Sequence, residues 1–332
     1  QRLFGCGTAL VTPFMADGSI DEVALRAFVE WQIGEGVHMV IPCGSTGEAV
    51  TLAPAEHRRV VEITVEQVNG RVPVIAGAGS NDTQRAIATS REMKAIGATH
   101  LLHVTPMYNK PPQRAMIAHF RAIADACDLP IVLYNVPGRT AINLDVRSCL
   151  ELAEDPRFVA VKEASGNLVQ ITEIIHDRPD HFAVLSGDDG LTLSVMAHGG
   201  DGIISVISNV VPALMVALCH AMARGDLAEA RRLDARLAPV AHAAFIESNP
   251  IPVKAMLAMM GRMRDHLRLP LVSLLDAHHP LVRAALVQAG ALICVDSLEE
   301  FDHLKTLVET RSEAIKARVL LRYRPKNCTS SR

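Results

Sequence analysis

Across 332 residues, 33 Lys and Arg stand against 36 Asp and Glu, a formal charge of −3 and an isoelectric point near 6.6, which excludes a broadly basic nucleic-acid binder. Apolar residues make up 49% and charged residues 21%, too apolar for a disordered chain and sufficient to bury a large core. Seven cysteines stand singly with no CxxC pair, which argues against a disulfide framework or a zinc knuckle and fits a reducing cytoplasm.

The chain opens on Gln-Arg-Leu-Phe, not on a basic segment followed by an apolar one, so no secretion signal is expected. Short apolar, β-branched runs then recur at 8–12, 39–43, 72–76, 101–105, 131–135, 159–163, 182–186 and 203–206, and each reads as a strand. Segments with helical spacing lie between them, with Asp21 and Asp82 as candidate N-caps. Each unit is roughly 20 to 35 residues long, as crossover connections require. Continuous apolar strands indicate a parallel sheet buried on both faces. Eight successive units predict a (β/α)8 TIM barrel, since a doubly wound open sheet usually stops at five or six strands. The most apolar stretch, 203–219, is interrupted by Ser205, Ser208, Asn209 and Pro212, so no membrane span is expected. Beyond the barrel (1–224), helical patterns at 227–247, 252–263 and 270–289 predict a C-terminal helical domain over 225–292. An atypical tail (293–332) follows, with strand patterns at 293–297 and 317–322 around a helical one at 298–310, part of a βαβ unit with no sheet to join.

A barrel of this kind carries its chemistry at the C-terminal ends of its strands. Strand two ends in Gly44-Ser45-Thr46-Gly47-Glu48, strand four in Thr105-Pro106-Met107-Tyr108-Asn109, strand five in Tyr134-Asn135-Val136-Pro137-Gly138-Arg139, strand six in Lys162-Glu163 and strand seven in Ser186-Gly187-Asp188-Asp189. Lys162 closes an apolar run, where burial depresses an ammonium pKa and leaves a nucleophilic amine that forms a Schiff base with a ketone. The bland alternative is a lysine paired with Glu163 or reaching to the rim. Tyr108 and Tyr134, two of three tyrosines, are candidate proton shuttles that a hydroxyl from Ser45 or Thr46 could link, or else rings that simply pack. The Gly44–Gly47 turn could offer backbone N–H groups to a carboxylate, and Arg139 could grip another bidentately unless it is an ordinary surface arginine. Asp188-Asp189 reads as a helix cap in preference to a metal ligand pair. Fourteen histidines show no HExxH, and no HxH closes strand one, so no metal site is expected; no glycine-rich nucleotide motif occurs either.

These strand-end motifs, with Asn167 after strand six and Asn249-Pro250-Ile251-Pro252-Val253-Lys254 beyond the barrel, make the chain similar to the dihydrodipicolinate synthase and N-acetylneuraminate lyase group of pyruvate-dependent class I aldolases over residues 3–292. The resemblance implies a homotetrameric cytoplasmic enzyme needing no cofactor, in which Lys162 forms the imine with pyruvate and Tyr134 is the general acid and base. Thr46 and Tyr108 would complete the relay, Tyr108 by reaching a neighbouring subunit's site, with Ser45 where the family commonly has a second threonine. Ser45, Thr46, Gly187 and Ile204 would line the pyruvate pocket. Arg139 resembles the synthase signature and implies L-aspartate 4-semialdehyde as the second substrate, in the diaminopimelate route to lysine. A sibling lyase acting on a 2-keto-3-deoxy sugar acid or N-acetylneuraminate would share Lys162 and Tyr134, and a non-catalytic sensor would keep the pocket without the reaction. The tail resembles a fragment of PLP-dependent decarboxylases but lacks their lysine motif, so no activity is expected of it.

In lysine-inhibited members the effector pocket tends to use a His, a Glu and a Tyr where this chain has Pro54, Arg85 and Met107, although His57 and Asn81 are kept. A cation at 85 repels an effector bearing ammonium groups. Titrating L-lysine into the initial-rate assay is expected to give weak or no inhibition; strong inhibition at submillimolar lysine contradicts this reading.

Overall fold

The computed structural model describes residues 2–295 and 318–321. Strands β1 (Gly5–Ala9), β2 (Met39–Ile41), β3 (Ile75–Gly77), β4 (His100–Val104), β5 (Ile131–Asn135), β6 (Phe158–Glu163), β7 (Ala183–Ser186) and β8 (Gly202–Ser205) form one parallel sheet in the order β2-β1-β8-β7-β6-β5-β4-β3. Its two end strands meet through a parallel bridge between Val40 and Val74, where the Val40 N–H donates to the Pro73 carbonyl (3.1 Å) and the Gly77 N–H to that of Pro42 (3.0 Å). The sheet is thereby a (β/α)8 TIM barrel. Around it lie α1 (Glu22–Gly34), α2 (Pro54–Val68), α3 (Thr83–Ala95), α4 (Gln113–Ala126), α5 (Pro137–Thr140), α6 (Val146–Ala153), α7 (Leu168–Asp177), α8 (Thr192–Ala197) and α9 (Pro212–Ala223). Asp21 and Asp82 cap α1 and α3, accepting from the N–H groups of Ala24 and Gln84.

The first strand lies three residues earlier than the apolar run at 8–12 suggests. Gly5 and Gly7 carry no β-branched signal, yet the position demands a small residue: a Cβ on Gly7 would stand 2.5 Å from Met39 Cγ on the neighbouring strand. Thr12, expected within that strand, instead leaves the sheet and donates to the Gly47 carbonyl at 2.6 Å.

Alternation along the strands sorts side chains between the barrel interior and the helix-facing shell. On β5, Val132 and Tyr134 belong to the interior cluster with Ala9, Ile41, Leu185 and Ile204, whereas Ile131 and Leu133 pack outward with Phe120 and Phe158. Strand β6 breaks its alternation once. Ile131 pairs with Phe158 but Val132 with Ala160, so Val159 is an extra residue, a β-bulge. Phe158 and Val161 face the shell, while Val159 and Ala160 both meet the interior. The bulge thus moves Lys162 to the inner face, beside Tyr134 in the ladder, and leaves Glu163 outside beside Asn135.

Helices α10 (Leu227–Ala243), α11 (Ile251–Met259) and α12 (His279–Ala289) continue the core beyond the barrel, α10 packing on α9 and α12. Strands β9 (Leu292–Val295) and β10 (Arg318–Leu321) pair parallel in a separate two-stranded sheet. They answer to the two strand patterns of the tail; the helical pattern at 298–310 lies outside the described residues.

A buried ion pair ties α11 to the turn after β2. Lys254 Nζ meets Glu48 Oε1 at 2.5 Å with both side chains fully excluded from solvent, and donates also to the His266 carbonyl at 2.7 Å. The other Glu48 oxygen accepts from the Arg268 N–H at 3.1 Å, and the Phe14 ring lies 4.3 Å beneath the Lys254 ammonium. Removing one partner of such a pair strands the other charge. Glu48→Gln is expected to lower unfolding stability by about 3–5 kcal/mol, and Glu48→Gln with Lys254→Met to recover much of that loss, both read from urea denaturation midpoints.

Candidate active site

Lys162 stands on the inner face of β6 with 5% of its surface exposed, its Nζ 4.3 Å from the centroid of the Tyr134 ring. Burial brings its pKa down to about 8; the Asp189 carboxylate opposes that fall and the Arg139 charge assists it. Tyr134 is buried in turn, and desolvation pushes its phenol up to about 12 against the pull of Arg139 and of a hydrogen bond with Ser45. The lysine is therefore an accessible base near neutrality, and the phenol holds its proton until another group receives it. Lys162 does not pair with Glu163, whose carboxylate faces the shell and accepts from Asn135 (3.0 Å), Gln170 (3.1 Å) and the Ser165 N–H (2.7 Å).

Above the lysine opens a cavity of about 340 Å³ lined by Gly44, Ser45, Thr46, Tyr134, Arg139, Lys162, Gly187 and Asn249, with Val206 and Phe245 among its apolar walls. Gly187 is fixed by space, because a Cβ there would lie 3.1 Å from both Cγ and Cε of Lys162 and 2.7 Å from the Ala164 methyl. Arg139, on α5, donates through Nη2 to the Asn249 carbonyl at 3.2 Å.

Six of the eight residues singled out from the sequence thus share one cavity. Two do not line it. Tyr108 is 88% exposed on the loop after β4, away from the Lys162 and Tyr134 of its own chain. Ile204 is fully buried in the interior cluster beneath, and Val206, two residues on, reaches the cavity in its place. Of the two hydroxyls, Thr46 Oγ1 accepts from Asn249 Nδ2 at 2.9 Å, and Ser45 is the one whose influence draws the Tyr134 pKa down.

Asp188 caps a 3₁₀ turn at 189–191, accepting from the Gly190 N–H at 3.0 Å. Asp189 turns inward, where it accepts from Ser205 Oγ (2.5 Å) and the Val206 N–H (3.1 Å), and burial raises its pKa to about 6. Sequence reasoning overlooked Asp189, Asn249 and Phe245 as neighbours of the site. Asn249 and Asp189 each carried a signal, as parts of the Asn-Pro-Ile-Pro-Val-Lys and Ser-Gly-Asp-Asp motifs, whereas Phe245 carried none. Among the described residues, no three His, Cys, Asp or Glu side chains gather as a metal-binding group.

A closed parallel barrel with a dry lysine and a phenol at its mouth is the arrangement of a class I aldolase-type lyase. The chain belongs to the dihydrodipicolinate synthetase family, whose sequence model matches residues 2–289. It is 48% identical over 293 residues to the 4-hydroxy-tetrahydrodipicolinate synthase of Koribacter versatilis, covering 88% of this chain and 98% of that one. It is 50% identical over 287 residues to that of Nitratidesulfovibrio vulgaris, covering 86% and 98%. The crystal structure of dihydrodipicolinate synthase from Thermotoga maritima superposes with a TM-score of 0.86 at 39% identity, covering 87% and 99% of the two chains. A chloride-inhibited dihydrodipicolinate synthase from Acinetobacter baumannii, complexed with pyruvate, gives 0.86 at 40% identity over the same shares.

The Gly187 notch makes a direct prediction. Gly187→Ala is expected to displace the Lys162 side chain and cut its reaction with a keto acid about 100-fold, with near-wild-type circular dichroism. Reductive trapping on Lys162 measures it, and an unchanged trapping rate contradicts the steric argument.

Proposed function

We propose that the protein condenses pyruvate with L-aspartate 4-semialdehyde to 4-hydroxy-tetrahydrodipicolinate, in the diaminopimelate route to lysine. The observation that carries this reading is the dry Lys162 amine packed over the Tyr134 ring and facing Arg139 across one cavity. The amine attacks the keto carbon of pyruvate, and loss of water leaves an imine on Lys162. Its positive nitrogen draws electrons from C3, whose proton leaves to solvent or the phenolic relay, giving an enamine. C3 then bonds the aldehyde carbon, and Tyr134, linked to Ser45, gives its proton to the new alkoxide. The semialdehyde's amino group closes on the imine carbon and releases the lysine. No cofactor is needed, because the imine is itself the electron sink. Thr46 and the turn around it supply donors for the pyruvate carboxylate, and the Arg139 guanidinium supplies those for the semialdehyde.

The phenol's hydroxyl partner in this reading is Ser45, whose influence draws the Tyr134 pKa down. In this reading Tyr108 extends the relay from a neighbouring subunit of a homotetramer, for which its near-complete exposure on its own chain leaves it available. The proposed location is the cytoplasm; no helix among the described residues is long and apolar enough to cross a membrane.

Borohydride with pyruvate should leave a covalent adduct on Lys162, found by peptide mass mapping and abolished by Lys162→Ala; no adduct on the wild type refutes the mechanism. Because the free amine reacts, the trapping rate should rise with pH up to about 8 and level off above it. Turnover of aspartate semialdehyde, with none of N-acetylneuraminate or 2-keto-3-deoxygluconate, separates the synthase from its sibling lyases.

A further inference from the structure

Asn249 reaches the cavity from the segment leading into α11, 203 residues from the threonine it touches. It is 5% exposed and joined to Pro250 by a cis peptide bond. Its Nδ2 donates to Thr46 Oγ1, its carbonyl accepts from Arg139, and its Oδ1 is buried without a partner. A threonine hydroxyl has one proton, and accepting from an amide leaves that proton to be directed elsewhere. Among the described residues Thr46 Oγ1 donates to no protein acceptor, and neither do the N–H groups of Ser45 and Thr46. Three unspent donors therefore stand together at the turn. A carboxylate, which only accepts, is the ligand they suit.

We infer that Asn249 is a positioning residue that commits the Thr46 hydroxyl to donate to the carboxylate of the keto acid. The inference rests on the activity proposed above and adds a polarity to it: the amide nitrogen faces the threonine. With the amide reversed, Thr46 would spend its proton on Asn249 and present only lone pairs to an anion. Glu48 and Lys254, a few residues further along each segment, hold the two together, so the contact is made within a fixed frame. Because the Asn249 carbonyl also receives Arg139, one residue aligns the donors for both substrates' carboxylates.

Asn249→Asp tests this at nearly constant volume. An ionised aspartate can only accept, so it turns the Thr46 proton away from the ligand. At pH 8 the KM for pyruvate is expected to rise about 10- to 100-fold, the size of a lost charge-assisted hydrogen bond, with kcat changed far less. Acidification to pH 6 should narrow the gap to wild type, since a protonated aspartate regains a donor. In a Thr46→Val background the same substitution should add little, because the hydroxyl it acts through is gone. Asn249→Ala, which has neither donor nor charge, should raise KM without acid recovery, and its cycle with Thr46→Val carries the test should the aspartate variant fold poorly. An Asn249→Asp enzyme with wild-type KM overturns the inference by showing that Thr46 donates to residue 249. A raised KM that ignores pH and adds fully to Thr46→Val overturns it in favour of a merely structural role. Failure of the wild type to trap pyruvate would instead refute the proposed activity, so the two failures are told apart.

Discussion

The chemistry of this barrel depends on one extra residue in one strand. Val159 bulges out of the β5–β6 ladder, and from that point the faces of β6 exchange. Counted from the shell-facing Phe158 without the bulge, Lys162 would point at the helices and Glu163 into the barrel. With it, the amine enters the interior beside Tyr134, and the carboxylate is retired to the shell, where Asn135, Gln170 and Ser165 satisfy it. Placement of the nucleophile is thus a matter of strand register, and the depressed pKa follows from the dry interior it enters.

Desolvation acts on the two reactive groups with opposite sign. It disfavours the ammonium of Lys162 and the phenolate of Tyr134, so from about pH 8 upward both neutral forms coexist a few ångströms apart, an uncharged nucleophile over a proton donor. Arg139 contributes to both shifts in the direction that favours function, pushing the lysine lower and keeping the phenol from rising further. Asp189 works against the burial of Lys162, its carboxylate favouring the ammonium and limiting the fall of the pKa.

Most of the architecture was legible because strand runs and helix caps are local signals, and strand ends of a barrel converge by topology. Lys162, Tyr134 and Arg139 could be placed together on that ground alone. The glycine-rich first strand was displaced because its fitness lies in the room it leaves for Met39, which no propensity describes. Ser45 and Thr46 are adjacent in the sequence, and Thr46 takes its hydrogen bond from Asn249, a partner 203 residues away that no local pattern reveals. Ile204 and Val206 differ by a single step of the pleat where β8 ends, so the strand pattern could not say which reaches the cavity. Tyr108 was recognisable as a phenol at a strand end, but its loop carries it outward with a left-handed backbone (φ 74°).

The tie between the 44–48 turn and the segment at 249–254 has a bearing on biosynthesis. A ribosome that has delivered all eight strands has still to emit Asn249 and Lys254, and until it does, Glu48 lacks its cation and Thr46 its amide partner. The nascent barrel can acquire its sheet early, but the mouth is finished late. A chain terminated before residue 249 would carry the eight strands without either contact to the turn that follows β2.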